Sequence, residues 1–112
     1  MKKFVSRILS LSLALTAATA AAEADMPAET TKALSVGSVT VYDFGDIKLH
    51  AYNMGDALSD ECYLLESGEG LVMLETGAFT DQLNAWKDYI DGLDKPLAGA
   101  LLAYHPNGIE VF

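Results

Sequence analysis

The chain has little with which to grip nucleic acid, cross-link itself or build a thiolate metal site. It carries one cysteine, Cys62, in 112 residues. A single thiol closes no intramolecular disulfide, so a packed core must hold the fold. Basic residues are scarce, with seven Lys and Arg against sixteen Asp and Glu and a net charge of −9. Affinity for phosphate backbones comes from Lys and Arg, so DNA and RNA are poor partners for it. Histidine occurs twice, at His50 and His105. Asp43, Asp46 and Asp56 lack the spacing of a calcium loop. No glycine loop leads into a helix to cradle a phosphate, because Gly68-Glu69-Gly70 precedes an apolar strand.

What is present begins with an export signal. Lys2, Lys3 and Arg7 form a basic start, and Ile8 to about Ala18 is apolar. Ala20-Ala21-Ala22 and Ala22-Glu23-Ala24 both fit a small-x-small cleavage site. The apolar run is short for a membrane span, and no stop-transfer pattern follows. Residues 1–22 therefore read as a cleaved signal peptide rather than an anchor, placing the protein in a periplasm or outside the cell. Cleavage after Ala22 removes three basic residues and no acids, leaving four against sixteen and a net charge of −12.

Residues 23–36 are polar, contain Pro27 and show little periodicity, so they read as a flexible leader. Two hairpins are expected next. Val39 and Val41 alternate with Thr40 and Tyr42. Gly45-Asp46 makes a two-residue turn. Ile47, Leu49 and Ala51 then share one face, and Lys48, His50 and Tyr52 the other. Cys62, Leu64 and Glu66 alternate with Tyr63 and Leu65, and Ser67-Gly68-Glu69-Gly70 turns the chain, with glycine free to take positive φ. Leu71-Val72-Met73-Leu74 is continuously apolar, as in a strand covered on both faces.

A helix follows. Thr80 is a suitable N-cap, and Leu83, Trp86, Tyr89, Ile90 and Leu93 recur at helical spacing up to a stop at Gly92. Pro96 to Tyr104 reads as a buried strand, parallel to the one before the helix. The fold class is thus α+β or α/β, two β-hairpins followed by a βαβ unit. One helix covers one face of such a sheet, and nothing in the chain covers the other. The sequence is expected to be incomplete as a domain, or to self-associate through its uncovered sheet.

Residues 37–112 resemble the N-terminal half of the metallo-β-lactamase fold, a partial αββα sandwich. The resemblance rests on the two opening hairpins, on Cys62-Tyr63-Leu64-Leu65 with its glycine turn, and on Leu74-Glu75-Thr76-Gly77 ending the apolar strand. That family has Asp where Glu75 stands. Its next strand ends in Thr-His-x-His-x-Asp-His, and Leu101-Leu102-Ala103-Tyr104-His105 occupies that place. The resemblance implies a zinc cofactor, a hydrolase activity on esters, thioesters, lactams or phosphoesters, and a small-molecule substrate or ligand. It implies His105 as a metal ligand. The following positions depart from it: Asn107 stands at the second histidine, Ile109 at the aspartate and Glu110 at the third histidine. A complete zinc site cannot be assembled from these residues, so the chain is expected to be inactive as it stands.

The alternative is a non-enzymatic relative that binds a small ligand or a protein partner at the same cleft. There Asn107 offers both donor and acceptor, and Pro106 fixes the backbone. Glu75 either orients a ligand or serves as a hydrogen-bonded turn residue. His105 is equally readable as a strand-end histidine bonded to backbone or water. His50, with no second ligand spaced to join it, reads as a packed or solvated histidine, and Cys62 as core.

Overall fold

A computed structural model describes residues 26–76, 80–103 and 108–112. The expected signal peptide, Gly77, Pro106, His105 and Asn107 lie outside the described residues. Six strands form one sheet in sequence order: β1 (Ala28–Ala33), β2 (Ser38–Asp43), β3 (Lys48–Asn53), β4 (Glu61–Glu66), β5 (Leu71–Leu74) and β6 (Leu97–Leu101). All neighbours are antiparallel except β5 and β6, which run parallel across α1 (Thr80–Asp91). A short 3-10 turn, Ile109–Val111, ends the chain. The molecule is a small α+β protein with a mixed sheet and one α-helix among the described residues.

The segment expected to be a flexible leader contains β1. Every side chain of β1 is exposed, so no apolar alternation marks it. It is held through its backbone ladder to β2 and a Thr31–Thr40 hydroxyl hydrogen bond of 3.0 Å. Such a strand leaves no hydrophobic periodicity to read, because neither of its faces enters the core.

The core lies on one face of the sheet. Val39, Tyr52, Cys62, Leu64, Leu71 and Met73 are buried there against Trp86 and Ile90 of α1. Lys48, His50 and Tyr52 share this face; the Leu49 face is the open one. In register across the open face stand Tyr42, Leu49, Leu65 and Val72. Leu65 and Val72 are 37% and 39% exposed, so β5 is covered on one side and not on both, as its apolar run had suggested. β6, expected to be buried, is exposed from Ala98 to Leu101 because it is the last strand of the sheet.

Turn chemistry places the strands. Phe44 N–H donates to Ile47 O around Gly45, whose φ of 91° suits glycine. The turn after β4 closes by Ser67 N–H to Gly70 O without positive φ at either glycine. Gly70 is needed there for space instead, since a Cβ would sit 2.9 Å from Pro96 O. The left-handed residue after α1 is Asp94 (φ 51°), and not Gly92.

Candidate functional site

The carboxyl ends of β5 and β6 open on the same side of the sheet as the loops Leu34 to Gly37 and Met54 to Asp60. Open α/β sheets bind ligands at this end of their parallel strands. Two glycines let the loops meet: a Cβ on Gly37 would lie 2.1 Å from Asn53 O, and one on Gly55 would meet Gly37. Asp56 braces its loop by accepting from Leu58 N–H and Asp60 N–H. Tyr52 reaches this end from β3, donating its hydroxyl hydrogen to Val36 O at 2.9 Å.

Glu75 follows β5 at this end. Its backbone is left-handed, φ 66°, where a non-glycine residue is uncommon. Its N–H donates to Leu101 O at 2.9 Å, and its carboxylate accepts the N–H of Ala103. The side chain thus ties the end of β5 to the chain leaving β6. This contact is that of a hydrogen-bonded turn residue. Thr76 beside it is 1% exposed. The chain then enters residues 104–107, which contain His105 and Asn107. Beyond them Gly108 packs on Leu83 of α1, Ile109 is half-buried and Glu110 is exposed.

Zinc, which the resemblance implies, can be tested against the donors described. The Glu75 carboxylate is already engaged by Ala103, and Ile109 has no donor atom. No group of three His, Cys, Asp or Glu side chains could hold a metal among the described residues. The donors described at this end do not fit a zinc centre; His105 and Asn107 lie outside the described residues.

A second polar constellation lies at the opposite, turn end of the sheet, and sequence reasoning missed it. His50 on β3 is 2% exposed. Its Nε2 lies 2.7 Å from Glu66 Oε2, and its Nδ1 lies 2.7 Å from the Tyr89 hydroxyl. Lys95 donates to Glu66 Oε1 at 2.6 Å and to Ser67 O at 2.9 Å. An ionised Glu66 only accepts, so His50 Nε2 carries the proton and Nδ1 accepts from Tyr89. Burial drives the His50 pKa below its ordinary value, although Glu66 opposes the shift. Burial acts to raise the Glu66 pKa, but Lys95 and His50 outweigh it and hold it low. Burial and Glu66 push Tyr89 up to about 12. A neutral histidine in a closed hydrogen-bonded chain is a structural group, with no free nitrogen for a metal or a substrate proton. The missed signal was the register His50↔Leu64, which sets His50 one residue pair from Glu66 on the same face.

Beside this network an open cleft of about 490 Å³ is lined by Gly45, Asp46, Lys48, Glu66, Ser67, Gly68 and Lys95. Its side chains carry two positive and two negative charges. Another cleft, about 390 Å³, lies between the end of α1 and the start of β6. Neither is lined by Glu75.

Cys62 is fully buried between β3 and β5. Burial, with Glu75 and Glu61 nearby, pushes its thiol up to about 12, so it is no nucleophile. No protein-family model matches the chain, and no curated protein or solved structure matches it either.

Proposed function

We propose that the chain is an exported, metallo-β-lactamase-like half-sandwich that binds a small ligand or partner at its β5–β6 end without zinc-activated hydrolysis. The observation that carries this reading is Glu75. The acid that closes β5 accepts the Ala103 N–H and so ties the end of β5 to the chain leaving β6. The sequence after Ala103 supplies His105, Asn107 and Glu110, a set suited to hydrogen bonding and poor for zinc. The loops Leu34 to Gly37 and Met54 to Asp60 flank the same end.

Zinc-dependent hydrolysis is the competing reading. It is favoured by the β5–α1–β6 unit, which brings Glu75-Thr76 and the chain leading to His105 to one end of the sheet. A thermal-shift screen of the purified protein separates the two. Metal-independent stabilisation by small ligands, lost in Asn107→Ala, supports binding. Stoichiometric zinc in the purified protein, or a zinc-dependent shift accompanied by ester or lactam hydrolysis, overturns it.

A further inference from the structure

The two edges of the sheet are unlike. β1 carries Glu29 and Lys32, and charge on an edge strand discourages pairing with another chain. β6, Leu97-Ala98-Gly99-Ala100-Leu101, carries no charge. It is exposed from Ala98 onward, Leu101 at 67%, and no described strand lies beyond it. Its composition is that of a central strand, yet it sits at a border. Leu101 O accepts from Glu75 N–H inside the sheet, so alternation turns the N–H and C=O of Ala100 to the open side, up to the irregularity between Leu97 and Gly99.

The strand also reads the same in both directions. Antiparallel pairing about a two-fold axis at Gly99 sets Leu97 opposite Leu101 of the second copy, Ala98 opposite Ala100, and Gly99 opposite itself. A two-fold interface requires such self-complementarity. Charge favours the same occupant. In a chain of net charge −9, this edge lets two copies approach with no acid facing an acid. The charged neighbour that pairing reaches first is Lys95, already held by Glu66.

We propose that β6 pairs antiparallel with β6 of a second copy, merging two sheets into one. A five-residue edge spans about 17 Å. That is a small contact by the standards of stable interfaces. The bulge of β6 between Leu97 and Gly99 reduces it further. Association is therefore weak and concentration-dependent. This inference is independent of the ligand reading, and either can fail alone.

Sedimentation velocity of the purified chain, from low micromolar to several hundred micromolar, tests it. The mass is expected to double across that range. Ala100→Pro removes an N–H that faces away from β5, so it stays folded by circular dichroism and monomeric at every concentration. Gly99→Cys has room, since a Cβ there meets nothing within 4 Å. It is expected to give a disulfide-linked dimer on mild oxidation, because directly opposed non-bonded residues sit about 4.5 Å apart, within disulfide reach. A chain that stays monomeric throughout overturns the proposal. So does a dimer that survives Ala100→Pro but dissociates with Val72→Lys, which moves the contact to the open face. Should Ala100→Pro unfold, the Gly99→Cys cross-link decides, and its absence overturns the proposal.

Discussion

Removing the Tyr89 hydroxyl probes the buried hydrogen-bond chain directly. Tyr89→Phe leaves His50 Nδ1 without its donor, and a buried group stripped of its partner costs about 1–3 kcal/mol. Urea unfolding measures the loss. Glu66→Gln removes the charge that opposes the downward shift of His50, so the imidazole titrates at still lower pH, read by NMR. Trp86 behaves differently. Its indole Nε1 is buried with no hydrogen-bond partner among the described residues, while its ring stacks on Tyr52 at 5.0 Å and Tyr89 at 5.5 Å. Trp86→Phe discards an orphaned donor along with some area and is expected to lose about 1 kcal/mol or less. Trp86→Ala empties the stack and loses about 3–5 kcal/mol. At this scale the sequence was partly readable. Trp86 and Cys62 declared themselves core by spacing. His50 did not, because its partners are 16 and 39 residues away and only the strand register and the α1 packing join them.

At the scale of elements, β1 and β6 carry the tests. β1 buries no side chain, so its amides are expected to exchange with solvent well before those of β3 and β4, measured by hydrogen exchange. Gly37→Ala joins a strained φ of 74° to a Cβ placed 2.1 Å from Asn53 O. Strain of that kind costs about 1–3 kcal/mol, and the clash adds to it, so the midpoint of urea unfolding falls. Five of the six strands, β2 to β6, and the helix could be placed from alternation, apolar runs, turn residues and the Trp86 stripe. β1 escaped because edge strands exposed on both faces have no periodicity. β6 was placed but its burial was misjudged, since an apolar run states what a strand would prefer to touch and not what lies beside it. At the candidate site, the end of the sheet was readable from Glu75-Thr76-Gly77, but the clamp from Glu75 to Ala103 depends on where β6 ends in space.

For the whole molecule, acid is the weak direction. His50 is held neutral in the fold with a lowered pKa, while the unfolded chain takes up its proton near the ordinary value. Stability is therefore expected to fall as pH drops below about 6.5. Glu66, also lowered, adds stability above its unfolded pKa and loses it as pH falls from about 4.5 downward. Tyr52, Cys62 and Tyr89 are pushed up to about 12, so alkali above pH of about 9 removes stability again as the unfolded groups ionise first. Thermal melts across pH should show a plateau between these limits, and a melting point that rises on going from pH 7 to pH 5 would contradict the account. The burial of Cys62 has a further bearing on the chain before it folds. While the polypeptide is still unfolded, its lone thiol is open to every oxidant and every other thiol in the compartment. Closing the sheet over it acts as a protecting group, and the rate at which a thiol reagent labels the native protein becomes a clock for how often the sheet between β3 and β5 comes apart.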